Sequence, residues 1–549
     1  MGKILLCLLF QIISCALFAQ DNNILSDTTL AVKIARKALK LMDSKKEKDI
    51  AKGVEMYKEA AEMGLMSAQR NIMTYYLQLS PPDVSNGLYW ARKLAEAGDA
   101  DSQYLLGYLY LGLDSISDIQ VMPNDILGAR YMRMAAEQGH IDAEFFYANC
   151  LEFGKGTIRN EKLAFDFYLR SADHGNAVAQ FRIGVAFAFE DKQKRDYKKG
   201  FFYTEKSALQ GYGLAQYNLG LMYHLAEGIE KNLDEAIYWY TKAIEHNVDA
   251  ARNNLALAME EKNGNSDETL FLLRKGADSG DEIAQYNLAN RYAQGDGVTQ
   301  SMEMAMNWYQ KSAEKGYAPS QRILGIEMLS DDGVIQDKEQ GFNWLVKSAE
   351  QNDTIALRAI GYCYQNGNGV EVNPDKAFLY YSKAMDMGDS RSIYNIAVCY
   401  YNGIGVSQSK EIAIEYLKKA VKLDVVDAIE TLASCYQYGD GISTDYAMAV
   451  SLYERAIGMK SANKADDLFL LSLCYDKMNN EKKRIECLLL SSDEGHPRAK
   501  YNLALSYYNG QGVSRDLKKA KSLLHDITKC SEDKEVADKA AELLKVINQ

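Results

Sequence analysis

The sequence predicts an all-α solenoid of about 14 helix-turn-helix units closed by a terminal helix, on three observations. A helix-terminating residue recurs at near-constant spacing through most of the 549 residues. A fixed set of small and large apolar residues follows each recurrence, and a Gly-x-Gly turn divides each unit in two. Ala284 to Gly316 shows the whole pattern: AQYNLANRYAQGDGVTQSMEMAMNWYQKSAEKG.

The first twenty residues, MGKILLCLLFQIISCALFAQ, place one lysine before a short apolar run that ends at Ala19-Gln20. Asp21, Asn22 and Asn23 follow at once, so the segment reads as a secretory signal peptide rather than a membrane anchor. Ile12-Ile13-Ser14-Cys15 also resembles a bacterial lipobox. Cleavage near Ala19 and lipidation of Cys15 are both open, and either route takes the protein out of the cytoplasm to the periplasm or cell envelope. No later stretch is apolar for long enough to span a bilayer.

Residues 21–64 form a degenerate first unit. Leu30, Ile34, Ala38 and Leu41 make one helical stripe, and Asp49 opens a second helix that ends at Gly64. A poor match at the end of an array is what a capping unit requires.

Residues 65–530 carry the array. The terminating residue stands at Gly64, Gly98, Gly139, Gly175, Gly211, Asn247, Gly280, Gly316, Asn352, Gly388, Asp424, Asn463 and Gly495, and seven of the twelve steps are 36 residues. Glycine, asparagine and aspartate tolerate the left-handed backbone that commonly ends a helix. Four residues on comes a small residue, such as Ala68, Ser102, Ala284 or Ser392, in every unit but the one near Asp467. Leucine or isoleucine follows four later and then an aromatic, as at Leu288 and Tyr292. Small residues let two helices approach closely while the large ones fill the space between pairs. The turn recurs as Gly154-Lys-Gly156, Gly295-Asp-Gly297, Gly367-Asn-Gly369, Gly403-Ile-Gly405, Gly439-Asp-Gly441 and Gly510-Gln-Gly512. Second helices then carry a small residue with an aromatic three later, at Trp239, Trp308, Tyr380 and Tyr416. Leu288 and Trp308 are expected to be buried. Two places depart from the pattern: a longer polar loop at Gly112 to Asn124, and extra residues from Lys460 to Ala465. Residues 531–549 read as an amphipathic C-terminal capping helix.

These units resemble Sel1-like repeats, relatives of tetratricopeptide repeats, over about residues 30 to 530. The resemblance implies a right-handed superhelix whose first helices line the concave side.

The formal charge of −12 argues against nucleic acid as the partner. Cys150, Cys363, Cys399, Cys435 and Cys474 fall at one position of the repeat. Equivalent positions on stacked helices sit about 8 to 10 Å apart, beyond the roughly 7 Å limit for a disulfide. They are therefore expected to be free and buried. None of the six histidines pairs with another ligand at metal spacing, the Gly-Asp-Gly turns lack a calcium loop's acidic string, and Gly154-Lys155-Gly156 lacks a phosphate loop's spacing. No cofactor or metal is expected. Some cysteine-rich relatives have been linked to β-lactam hydrolysis, and Ser461-Ala-Asn-Lys464 and Ser531-Glu-Asp-Lys534 match Ser-x-x-Lys, but the companion motifs are missing.

The remaining candidate is the column two residues past the small position, which points into the groove by analogy with tetratricopeptide repeats. It holds Tyr104, Phe145, Phe181, Tyr217, Tyr286, Arg322, Arg358, Tyr394 and Tyr501. Aromatic and arginine side chains are favoured anchors for peptides. The alternative is that this column packs on the next repeat. The sequence thus points to a non-enzymatic, exported scaffold or adaptor that binds a protein or peptide. A peptidoglycan or carbohydrate binder is the rival reading, and a cell-wall or β-lactam hydrolase a further one that would need a clustered acid, base or nucleophile.

Overall fold

The computed structural model describes residues 30–42, 46–79, 82–113, 121–190, 195–459, 461–530 and 533–548. The leader with Cys15, residues 114–120 of the polar loop, Lys460 and Ser531 lie outside them. The described residues form 29 α-helices and one five-residue π turn, Ala186–Glu190, with no strand. Most helices are 13 residues long, or about 20 Å. The protein is an all-helical repeat solenoid. It divides after Ser279 into two units, Met1–Ser279 and Gly280–Gln549. Within each, a helix packs on its neighbours in the chain.

Each repeat is delimited by local chemistry. The terminating glycines are left-handed, from Gly139 at φ 82° to Gly175 at 106°, and Asn247, Asn352 and Asp424 take φ of 64°, 68° and 57° in the same role. The next residue caps the first helix. Asp353 accepts from Ala356 N at 3.0 Å, Asp389 from Ser392 N at 2.8 Å, and His140 through Nδ1 from Ala143 N at 3.2 Å. Each bond satisfies one of the amides orphaned at a helix start. Asn463 departs from this expectation. Its φ is −95° and it immediately precedes helix Lys464–Lys477, so the extra residues before it end the previous helix differently.

Within a repeat the two helices approach closely through the small residues. A Cβ added to Gly361 would lie 2.7 Å from the ring of Tyr381, and one on Gly220 would lie 2.7 Å from that of Tyr240. Tyr240, Tyr381 and Tyr453 are among the largest fully buried side chains. Leu288 is buried as expected, at 1% exposure. Trp308 is not: it is half-buried, with Lys311 Nζ 3.9 Å from its ring centroid. Its neighbour Tyr309, one residue further round the helix, fills the core instead. The Lys-Ser-Ala-Glu motif gains a role here, because Ser312 Oγ donates to Glu282 O at 2.7 Å and Ser348 Oγ to Ala318 O at 2.9 Å. In these repeats the end of the second helix is thereby bonded to the start of its own first helix.

The second glycine of the turn holds successive repeats together. A Cβ on Gly369 would overlap the carbonyl oxygen of Lys338, at the start of the preceding repeat's second helix, and one on Gly405 would overlap that of Pro374. Their φ values of 71° and 67° add a backbone requirement for glycine.

Cys150, Cys363, Cys399, Cys435, Cys474 and Cys487 are buried with free thiols. Burial pushes Cys363 and Cys474 up to about 12 and Cys150, Cys399, Cys435 and Cys487 up to about 11. The last helix, Lys534–Asn548, covers Leu524 and Ile527 with Val536, Ala540 and Leu544.

Candidate partner-binding surface

The column named from the sequence lies on the first helices, and much of it meets the cap of the following repeat. Tyr104 is 6% exposed and stacks on His140 with centroids 4.5 Å apart. Phe181 lies 5.2 Å from Tyr212, and Tyr286 lies 5.3 Å from Tyr317. Phe469 stacks on His496 at 4.5 Å. Where the column holds arginine, the cap is aspartate. Arg322 Nε is 2.9 Å from Asp353 Oδ2, Arg358 Nε is 3.0 Å from Asp389 Oδ2, and Arg70 pairs with Asp99. Tyr394 packs in one cluster with the cap Val425. Phe145 meets Phe146 and Tyr168, Tyr217 accepts from Asn254 at 2.8 Å, and Tyr501 joins the cluster under the C-terminal helix. These rings and guanidinium groups are therefore engaged inside the protein, most of them half-buried with one edge still open to solvent.

A second column went unnoticed in the sequence. A glutamine directly follows the small residue in many repeats and is buried. Gln103, Gln180, Gln216 and Gln321 each donate to a carbonyl of the preceding second helix, at Ala95, Ala172, Ala208 and Ala313 over 2.9 to 3.2 Å. Their Oε1 atoms meet Gln138, Gln210, His246 and Gln351 near the end of their own repeat's second helix, at 2.7 to 2.9 Å. The signal was present as Ala-Gln or Ser-Gln in AQ215-type pairs such as Ala215-Gln216, but glutamine at a helix start ordinarily reads as solvated. Glu144 replaces it once, fully buried, and is held by Arg170 and His174, each at 2.8 Å.

The second unit carries a cavity of about 510 Å³ on the first-helix side. Ile326, Arg358, Ala359, Tyr362, Asn368 and Asn395 line it, so three consecutive repeats contribute. Several other repeats place asparagine where Ala359 stands, as at Asn218, Asn254, Asn287 and Asn395. Ile326 is 41% and Tyr362 57% exposed. Volume and a lining of apolar groups with two amides, one cation and the carboxylate of Asp331 suit a side chain or small ligand. Of the nine sequence-named residues, only Arg358 lines it.

Among the described residues no group of three His, Cys, Asp or Glu side chains is placed to hold a metal ion. Ser461 Oγ donates to Glu430 Oε1 at 2.6 Å and Lys464 pairs with Glu494. The serine and lysine of that Ser-x-x-Lys are thus each engaged elsewhere. No described helix is long and apolar enough to cross a membrane.

The Sel1 repeat model matches this chain twelve times, at residues 42–65, 73–99, 100–140, 141–176, 177–212, 213–248, 283–317, 318–353, 354–389, 390–425, 427–460 and 497–525. The chain belongs to the Sel1 repeat family. Among solved structures, this Sel1-repeat chain is similar to c5321, a protective antigen of uropathogenic Escherichia coli strains displaying an SLR fold. The identity is 24%, the alignment covers 83% of this chain and 91% of that one, and the TM-score is 0.55. It also matches a Sel1 repeat protein of Oxalobacter formigenes at 23% identity, over 65% of this chain and 91% of that one, with a TM-score of 0.34. The first of these likenesses shows the fold alone. No curated protein matches the chain.

Proposed function

We propose that this Sel1-repeat chain is a non-enzymatic scaffold that binds an extended protein segment along the first helices of its second unit. The observation that carries the reading is the cavity beside Arg358, where Ile326 and Tyr362 present exposed apolar surface next to the amides of Asn368 and Asn395. An apolar side chain entering it would bury both residues, while the amides and the guanidinium supply donors to a peptide's carbonyl or carboxylate groups. The signal-peptide-like leader read from the sequence supports a place for this scaffold outside the cytoplasm, at the cell envelope.

The test is a photo-crosslinking residue introduced at Tyr362 in the full chain, with Tyr362→Ala as the companion in affinity measurements on the captured partner. Capture of a polypeptide that binds at least tenfold more weakly to Tyr362→Ala supports the reading. Labelling of glycan alone would replace it with a carbohydrate-binding function, and unchanged affinity would move the site away from this cavity.

A further inference from the structure

One joint between repeats is built unlike the others. Twelve repeats place alanine or serine four residues after the terminating position, whereas the repeat after Asn463 places Asp467 there. The slot is buried, and Asp467 is 2% exposed with no hydrogen-bond partner for Oδ2. Glu430 of the preceding repeat stands in the column that elsewhere supplies Arg322 or Arg358. It accepts from Ser461 Oγ at 2.6 Å and from Asn463 Nδ2 at 2.9 Å. A hydroxyl has one hydrogen to give, and Ser461 gives it to Glu430, so Asp467 Oδ2 is left without a donor.

Among the described residues, the cations on the neighbouring elements are paired elsewhere. On its own helix, Asp466 is of like charge and pairs with His496 at 2.9 Å, and Lys464 is turned to Glu494. On the preceding second helix, Tyr446–Gly458, the Tyr453 hydroxyl donates to Gln437 at 2.9 Å and Arg455 pairs with Asp424. On the following elements, Lys483 bonds Tyr475, Arg484 faces Asp476 at 3.5 Å, and Arg498 lies 3.4 Å from Asp533. The three aspartate caps paired with arginine have their cation, and this joint has a second acid in its place.

We propose that Asp467 and Glu430 form a proton-binding joint between two consecutive repeats, loosened when both carboxyls are charged and closed when Asp467 takes up one proton. The neutral Asp467 no longer repels Glu430, and its O–H becomes a donor in a site short of donors. Metal does not fill that role, since no described cluster is placed to hold one. Burial, ahead of the neighbouring Glu430 and Asp466, raises the Asp467 carboxyl to about 6 from its ordinary 3.8. The folded joint therefore holds the proton more tightly than the opened chain. Its stability is fully present below the ordinary value and is lost as pH rises through 6. His496 acts in the opposite sense, because burial lowers its pKa and charging it in acid opposes folding.

The joint is independent of whether the cavity at Arg358 binds a peptide. Hydrogen exchange on the full chain, corrected for the intrinsic pH dependence of exchange, measures its opening in peptides spanning residues 461–477. The native chain is expected to open about tenfold less at pH 5 than at pH 7.5. Asp467→Asn, and Asp467→Ala with the small residue of the other repeats, should show no such response. His496→Asn, which retains a capping side chain, should keep it. A native joint indifferent to pH, or an Asp467→Asn variant with the native response, would overturn the proposal.

Discussion

Arg322 Nε lies 2.9 Å from Oδ2 of Asp353, which itself caps the first helix of the following repeat by accepting from Ile355 N and Ala356 N at 3.0 Å. One carboxylate thus ends an ion pair from the repeat before and starts the helix of its own. The side chains are 20% and 13% exposed, so the pair is largely shielded from solvent.

A double-mutant cycle of Arg322→Ala and Asp353→Asn is expected to give a coupling of roughly 1 kcal/mol, above that of an exposed pair. Hydrogen exchange should show the loss first at the joint around residues 353–360. Arg322→Ala changes the stability of this joint together with any effect on a partner. Tyr362→Ala, with its ring 57% exposed, is the cleaner probe of binding. A coupling near zero would return Arg322 to the surface as a free anchor.

Tyr309→Ala should cost about 3 to 5 kcal/mol, as removal of a buried aromatic does, and Trp308→Ala roughly half of that. Leu288→Ala belongs with the buried class, at about 2 to 5 kcal/mol. In a solenoid each repeat touches only its neighbours, so protection should fall around the altered repeat before it falls at the ends. Equal costs for Trp308 and Tyr309 would contradict the observed helix phase.

Ala226 takes φ 61°, at the place where other turns have glycine such as Gly154 or Gly295. A left-handed alanine costs about 1 to 2 kcal/mol, part of which glycine's greater freedom in the unfolded chain gives back. Ala226→Gly is therefore expected to stabilise by up to about 1 kcal/mol. Gly369→Ala, with φ 71° and the Lys338 carbonyl in the way, should destabilise by at least about 2 kcal/mol. Denaturation midpoints of the two variants should move in opposite directions.

Thiol titration checks the cysteines. With Cys363 pushed up to about 12 and Cys399 to about 11, little thiolate exists at pH 8, and burial blocks access as well. The six buried thiols should react slowly in the native protein and at once in denaturant without reductant. Three disulfides found in the unreduced, denatured chain would contradict the buried register.

Much of the fold was legible because it is enforced locally. A left-handed helix end admits glycine, asparagine or aspartate and little else, so Gly64, Asn247 and Asp424 mark repeats in sequence and structure alike. Small residues at helix crossings are as readable, since Gly361 has no room for a Cβ beside Tyr381. The surface was less legible. The arginines of the named column do sit on first helices, but their cap partners lie about 30 residues away, and the only trace was that Arg70, Arg322 and Arg358 each precede a repeat capped by aspartate.

By itself the sequence determined the repeat length, the helix ends, the turn glycines and the apolar stripe, all properties of short-range sterics and hydrogen bonding along one chain. Tertiary structure alone decided that Tyr309 rather than Trp308 faces inward, that buried glutamines bridge the repeats, that Ile326, Arg358 and Asn395 share one cavity, and that Asp467 Oδ2 is buried without a hydrogen-bond partner. Each depends on how two helices from different repeats are rotated and spaced against one another, and a helix's sequence states its apolar face only to within the width of a side chain.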